Sequence, residues 1–264
     1  MERFDVIMLP TLSHPHELAG KTIVVADVLR ATTTIATALK NGATAVLPCL
    51  ETGEAKNLAT QHRQAGTKTL LAGERRGLPI QGFDLGNSPY EYTANVVKDC
   101  LIVFTTTNGT KAMMSCVGAG RILTGAFVNL SATWRAIAGD REATIVCAGT
   151  DGEITAEDVF FAGAAADRAT LAHPECQLND QAQLALAAWQ RLRHDGPANL
   201  HDNLVRALLD SKGGQNLSAL GHESDVSMAA ELDTMDVAAE LDLSNWLIQS
   251  PTATQSQSTI SKSE

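Results

Sequence analysis

The stretch TIVVADVLRATTTIATALKNG, residues 22–42, determines the fold expected for this chain. Its first part, TIVVAD (22–27), is short and almost wholly apolar, which is typical of a strand buried on both faces of a mainly parallel sheet. Its second part, TTIATALKNG (33–42), is a helix candidate, and Gly42 supplies the left-handed residue that ends it. The stretch therefore predicts one strand–turn–helix unit of an α/β protein.

The same alternation of apolar runs and helix-like segments continues to about residue 150. After that point three long helical segments follow, with no strong strand, and the last fifteen residues are polar. We therefore predict a three-layer α/β/α sandwich with a mainly parallel, mixed sheet, formed by one domain over 1–249, and a disordered tail over 250–264. The other apolar runs are FDVIML (4–9), TAVLPC (44–49), TLLAG (69–73), LIVFTT (101–106), RILTGA (121–126) and ATIVCAG (143–149), and the late helices are AEDVFFAGAAADRATLA (156–172), DQAQLALAAWQRLRH (180–194) and NLHDNLVRALLDS (199–211).

The composition limits the classes of partner. The chain has 264 residues, 44% of them hydrophobic, and a formal net charge of −10 without a long basic run, which excludes nucleic acid as an expected partner. No secretory signal or membrane-spanning run is recognisable, so a cytoplasmic location without membrane contact is expected. The five cysteines lack metal-ligand spacing and are expected to be reduced core residues.

Polar side chains gather where four of the apolar runs end. Loops at the carboxyl ends of parallel strands converge and form ligand sites, so we expect these side chains to lie together. A group of acids, arginines and hydroxyls is typical of a site that binds an oxyanion. Arg30 can form two parallel hydrogen bonds to such a group, and the helix start at Thr32–Thr34 offers free backbone amides. The residues concerned are Asp27 and Arg30; Gly73, Glu74, Arg75 and Arg76; Thr105, Thr106, Thr107 and Asn108; and Asp151, Glu153, Glu157 and Asp158.

Each of these features also has a purely structural interpretation. Thr32 could be only a helix N-cap, and Thr155 with Asp158 fits a capping box. Asp27 and Arg30 could form a local ion pair, and Arg75 with Arg76 a solvated surface. A structural interpretation of the loop GFDLGNSPYEY (82–92) is a turn before a helix that begins near Tyr90.

Five motifs carry a family resemblance. They are DVLRATTTIATAL (27–39), LAGERRGLPIQGFDLGNSPYEY (71–92), TTTNGTKAM (105–113), AGTDGEITAEDVFFAGA (148–164) and GGQNLSALGHESDV (213–226). In this order they resemble the 2-phosphosulfolactate phosphatase family, over about residues 4–242. The resemblance implies a Mg²⁺-dependent hydrolysis of 2-phosphosulfolactate to sulfolactate and phosphate, a step of coenzyme M biosynthesis, on a three-layer α/β fold.

The motif positions and the chemistry of their side chains give a predicted site. The predicted catalytic residues are Asp27, Arg30, Glu74 and Asp151. The predicted substrate contacts are Thr32, Thr33, Arg75, Asn87, Ser88, Thr106, Asn108 and Gly109. The candidate Mg²⁺ ligands are Asp27, Glu74, Asp84, Asp151, Glu157 and Asp158.

Several alternatives stay open from the sequence. The substrate could be another small phosphorylated carboxylate, the reaction a phosphotransfer, or the protein a non-catalytic binder of anions. Water could attack directly or Asp27 could form a phosphoenzyme, although DVLRA lacks the second aspartate of aspartyl phosphatases. A homodimer is one option for the assembly.

Overall fold

The computed structural model describes residues 1–194 and 196–250. In this part of the chain eleven strands and eleven α-helices are defined. The strands are β1 Arg3–Ile7, β2 Thr22–Ala26, β3 Ala45–Pro48, β4 Thr69–Arg75, β5 Leu78–Pro79, β6 Leu101–Thr105, β7 Arg121–Gly125, β8 Glu142–Cys147, β9 Gln177–Leu178, β10 Ala239–Asp242 and β11 Leu247–Gln249. The helices are α1 Pro15–Leu18, α2 Ala31–Lys40, α3 Thr52–Gln64, α4 Ala94–Val97, α5 Gly109–Ser115, α6 Leu130–Ile137, α7 Ala156–Ala172, α8 Asp180–Leu192, α9 Leu200–Asp210, α10 Lys212–Ser218 and α11 Glu223–Ala229.

All strands join one mixed sheet in the order β5-β4-β6-β3-β11-β10-β7-β2-β8-β1-β9. Two parallel blocks, β4-β6-β3 and β7-β2-β8-β1-β9, are joined through the antiparallel hairpin β10-β11. All seven apolar runs form strands, and the mainly parallel, mixed sheet is confirmed.

Strand β2 shows why the fold has three layers. All five of its residues are buried, and it pairs in parallel with β7 on one side and β8 on the other. Val24 and Ala26 pack into a core with residues of α6–α9, whereas Ile23 and Val25 pack into a second core with residues of α2 and α5. Because successive strand residues point to opposite faces, one apolar run serves both cores.

Three short strands that the sequence analysis did not identify lie after residue 150. Strands β9, β10 and β11 lie there, each two to four residues long. In β10 the buried Ala239 and Leu241 alternate with Glu240 and Asp242, a pattern too short to stand out from the helical segments around it. The three late helices are confirmed as α7, α8 and α9, with ends that differ by up to two residues.

Three other expectations concern the cysteines, the C-terminal tail and membrane-spanning helices. The five cysteines are buried and free, as predicted. The predicted tail, 250–264, lies outside the described residues except for Ser250, so it stays a prediction together with the domain bounds. No helix in the described part of the chain combines the length and hydropathy needed to cross a bilayer.

The strand ends that meet at one cavity come from strands that do not all run in the same direction. Three successive antiparallel pairings separate β3 from β7, so the two parallel blocks run in opposite directions. Strands β2 and β8 belong to one block, and β4 and β6 to the other. The segments that follow all four strands nevertheless line one cavity, because the start of α5 lies against the turn after β2.

Candidate active site

A cavity of about 570 Å³ opens where these segments meet. Its polar wall comes from the residues after β2, β4, β6 and β8, and helix α10 with the turn behind it supplies an apolar wall. The lining residues are Asp27, Leu29, Arg30, Glu74, Arg76, Gly77, Asn87, Thr107, Asn108, Thr150, Asp151, Gly213, Asn216, Leu217, Ala219 and Leu220.

Asp27 is a buried carboxyl group in this cavity. Its Oδ1 accepts a hydrogen bond from Ala31 N at 3.3 Å, at the start of α2. A Cβ atom on Gly109 would lie 2.7 Å from Oδ2, so only glycine allows α5 to begin this close. The pKa of Asp27 is raised from 3.8 to about 7, mainly by burial and also by the nearby charges of Glu74 and Glu157, against the lowering effect of the amides of Ala31 and Gly109. This carboxyl group can therefore gain or lose a proton near neutral pH.

Glu74, at the end of β4, is held on both carboxylate oxygens. Its Oε1 accepts a hydrogen bond from Thr107 N at 2.7 Å. Its Oε2 accepts from Gly77 N at 2.7 Å and from the Thr107 hydroxyl at 3.2 Å. Glu74 thereby ties the turn after β4 to the segment after β6, and its orientation toward the cavity is fixed.

Arg30 is buried and engaged by a residue far away in the chain. Its Nη1 lies 2.6 Å from Oδ2 of Asp225 on α11, and its Nη2 donates to Gly77 O at 3.0 Å. The other oxygen of Asp225 accepts from the Ser88 hydroxyl at 2.7 Å. The ion pair of Arg30 is thus made with Asp225, and the local pair with Asp27 that the sequence left open is not formed.

The threonines after Arg30 use their hydroxyls within the fold. Of the first amides of α2, that of Ala31 donates to the Asp27 carboxylate at 3.3 Å and that of Thr32 donates to the Asp27 main-chain carbonyl at 2.9 Å, so both are used within the fold at the helix start where an external anion was expected. None of the three threonines lines the cavity. Thr32 donates to Asp27 O at 2.9 Å, Thr33 to Val28 O at 2.8 Å and Thr34 to Asn87 O at 2.9 Å.

Two adjacent arginines after β4 differ in their contacts. Arg75 donates to Glu74 O, Leu50 O and Thr105 Oγ1 at 2.7 to 2.8 Å and does not line the cavity. Arg76 is exposed, and its side chain lies at the cavity wall. Arg75 was predicted to contact the substrate, but Arg76 is the arginine of this pair that lines the cavity.

Three further predicted residues, Asn87, Asn108 and Asp151, line the cavity, and Thr106 supports it. Asn108 precedes α5, and its Oδ1 accepts from Asp151 N at 3.4 Å, which joins the segments after β6 and β8. Asn87 is buried, and its Oδ1 has no hydrogen-bond partner among the residues that the structure describes. Thr106 does not line the cavity, because its hydroxyl bonds with Thr110 and stabilises the first turn of α5.

Behind Asp27 lie two more buried acids at the start of α7. The oxygens of Asp158 accept from Val28 N at 2.9 Å and Gly149 N at 3.0 Å. Burial and the neighbouring acids raise the pKa of Asp158 well above its usual range, and burial also raises the pKa of Glu157. Glu157 Oε1 would lie 2.3 Å from a Cβ atom on Gly213, so these acids support the cavity wall from behind.

Two expectations for acidic residues are not met by the geometry. Asp84 is paired with Arg63, accepts from Leu71 N at 2.7 Å, and is not among the residues that line the cavity. The capping box of Thr155 with Asp158 does not form, because Thr155 makes no capping hydrogen bond and Asp158 binds the two amides named above.

The candidate Mg²⁺ ligands are not gathered around one point. Within residues 1–194 and 196–250, no group of three or more histidine, cysteine, aspartate or glutamate side chains is placed to hold one metal ion. Asp27 and Asp151 both line the cavity and offer only oxygen donors. Mg²⁺ commonly binds to one or two carboxylates and completes its shell with waters and substrate phosphate, so these two residues fit such an ion.

Three residues that shape this site were not assigned from the sequence, and a fourth was noted only as a strand-end hydroxyl. Asp225, Gly213 and Asn216 come from the last quoted motif, for which no strand end indicated a role, and Thr107 was noted without a partner. The motif GGQNLSALGHESDV could have indicated Asp225, Gly213 and Asn216, because its glycines and acid stand out in a region that was otherwise predicted only to pack as helices.

Comparison with known proteins identifies the family of this chain. The model of the 2-phosphosulpholactate phosphatase family matches residues 7–243. The chain belongs to this family. The family is one of phosphoric monoester hydrolases, and its matched region contains every residue that lines the cavity.

Three relatives from the family illustrate how far the similarity extends. Each is called a probable 2-phosphosulfolactate phosphatase. The relative from Symbiobacterium thermophilum is 40% identical over 222 residues, covering 84% of this chain and 91% of its own length. That from Deinococcus radiodurans is 42% identical over 236 residues (88% and 90%), and that from Clostridium novyi is 35% identical over 239 residues (90% and 96%).

Proposed function

We propose that this chain hydrolyses the phosphate ester of 2-phosphosulfolactate, with Mg²⁺, to sulfolactate and inorganic phosphate. The observation that carries the proposal is the position of Asp27, a carboxyl group with a pKa of about 7, in a cavity that Arg30 and Arg76 also line. The family to which the chain belongs, and the names of its relatives, support this substrate.

The cavity offers a place for each part of a phosphate ester. Arg30 is fixed by Asp225 and Gly77, so a phosphate beside it meets a cation that is already positioned. The segments after β2, β4 and β6 surround that position with Asp27, Glu74 and Asn108. The substrate is anionic, the chain carries a net charge of −10, and Arg30 is paired with Asp225, so Arg76 and Mg²⁺ would have to provide the local attraction that the whole protein lacks.

Asp27 is the residue at which we expect the attacking oxygen to be activated. Asp27 must be ionised to act as a base: in the metal-free chain its burial beside other acids raises its pKa to about 7, and Mg²⁺ bound at this carboxylate would favour the ionised form. We expect Asp27 and Asp151 to hold Mg²⁺, which when bound would neutralise charge on the phosphoryl oxygens. The place of the reaction in coenzyme M biosynthesis is part of the same proposal and depends on the substrate.

Release of inorganic phosphate from a panel of phosphomonoesters tests this function. We expect 2-phosphosulfolactate to give the highest kcat/KM, EDTA to abolish turnover and Mg²⁺ to restore it. A higher kcat/KM for another phosphorylated carboxylate would reassign the substrate. Binding of these esters without phosphate release would identify the protein as an anion binder, and full activity after chelation would exclude the metal.

A further inference from the structure

Arg76 differs from the other cationic residues near the cavity. Within the described residues, its guanidinium has no hydrogen bond or ion pair, although Arg76 is exposed and is one of the residues that line the cavity. Arg30 donates to Asp225 and Gly77, and Lys212, beside the wall, is paired with Glu153 at 2.8 Å. Arg76 is therefore the lining cation whose donors are all available to a ligand.

The backbone of Arg76 is held firmly while its side chain is not. Its φ angle is +55°, a left-handed conformation that non-glycine residues seldom adopt. Arg76 N donates to the Thr107 hydroxyl at 3.3 Å, and the same hydroxyl lies 3.2 Å from Oε2 of Glu74, which it bonds. The turn therefore places Arg76 at a fixed point beside Glu74 and leaves a long cationic side chain free to reach into the cavity.

The proposed substrate has more anionic groups than Arg30 can serve. Besides the phosphate it carries a carboxylate on the same carbon and a sulfonate on the next carbon. With the phosphate beside Asp27 and Arg30, the sulfonate lies farther from the reacting phosphorus than the carboxylate does. A guanidinium matches such an oxyanion with two parallel donors.

We infer that Arg76 is the specificity-determining residue that binds the sulfonate of the substrate. The inference rests on the proposed function, since it concerns the same cavity. Arg76 contacts a group that takes no part in the reaction, so it contributes to binding of the substrate and of the transition state about equally.

Kinetics of Arg76→Ala with two substrates test the inference. Against 2-phosphosulfolactate we expect kcat/KM to fall about 10- to 100-fold, mainly through KM. Against 2-phospholactate, which lacks only the sulfonate, we expect the variant and the wild type to agree within about twofold. Arg191→Ala, which removes an exposed arginine of α8 outside the cavity, is the matched control for the loss of one positive charge.

The outcomes separate this inference from the proposed function. An active wild type together with an equal loss for both substrates would overturn the role of Arg76 and point to the phosphate or the carboxylate as its partner. An unchanged kcat/KM in Arg76→Ala, or a loss matched by Arg191→Ala, would also overturn it. A wild type that hydrolyses neither ester would contradict the proposed function itself, and the inference with it.

Discussion

Nη1 of Arg30 lies 2.6 Å from Oδ2 of Asp225, and both side chains are almost fully buried, with 3% and 1% of their surface exposed. The two residues are 195 positions apart, so this contact fastens the C-terminal helix α11 to the turn after β2. Asp225 also accepts a hydrogen bond from the Ser88 hydroxyl at 2.7 Å. One buried carboxylate therefore positions a cavity arginine and the loop that contains Asn87.

Removing the charge of Asp225 should destabilise the protein strongly. Asp225→Asn leaves Arg30 buried without a counter-charge, and we expect the free energy of unfolding to fall by about 3 to 5 kcal/mol. Asp236→Asn is the matched control, because its carboxylate pairs with Arg135 at the surface and is 85% exposed. Denaturant titrations of both variants measure the difference. Similar small losses in the free energy of unfolding would mean that the buried Arg30–Asp225 pair does not stabilise the fold.

Arg30→Lys should affect catalysis more than folding. A lysine can keep a charge near Asp225 but cannot also reproduce the planar fork that bonds Asp225 and Gly77 O and that, in the proposed function, lies beside the phosphate. We expect kcat/KM to fall roughly 10- to 150-fold in a protein that stays folded. Steady-state kinetics and a thermal melt decide this: a lowered melting temperature with unchanged kcat/KM would make Arg30 purely structural.

The buried Asp27 should make the metal-free protein less stable as the pH rises. Its pKa is about 7 in the folded state and 3.8 ordinarily, so the folded chain keeps a proton that the unfolded chain releases. Between about pH 4 and pH 7 this difference lowers the free energy of unfolding of the wild type.

Asp27→Asn, which has no proton to lose, gives the reference for that measurement. In EDTA we expect the stability of the wild type to fall relative to the variant by about 2 to 4 kcal/mol from pH 4 to pH 8. Denaturant midpoints at several pH values provide the numbers. Parallel curves for the two proteins would show that Asp27 titrates at its ordinary pKa.

The seven long apolar runs predicted the sheet correctly because burial on both faces leaves a clear signature in sequence. The hairpin β10-β11 carried no such signature, since its strands are short and half of β10 faces away from the core. Because this hairpin lies between the two parallel blocks, the blocks run in opposite directions. No local sequence pattern predicts this relative direction.

The strand-end rule located Asp27, Glu74, Asn108 and Asp151 correctly at one cavity but did not assign side-chain partners. Arg75 and Arg76 are adjacent and chemically alike, and only the left-handed turn at Arg76 separates the bound arginine from the free one. Asp225 could not be found in this way, because it follows no strand and acts through a tertiary contact.

The kinetics of Asp27→Asn beside Asp84→Asn test the central claim most directly. Asp27 lines the cavity, whereas Asp84 does not and is bonded to Arg63 and Leu71 N. An amide cannot act as base, nucleophile or charged metal ligand, so we expect kcat for 2-phosphosulfolactate to fall at least about a hundredfold in Asp27→Asn. Asp84→Asn should stay within about threefold of the wild type. A kcat near the wild-type value in Asp27→Asn, or equal losses in both folded variants, would contradict the assignment of Asp27 as the centre of the reaction.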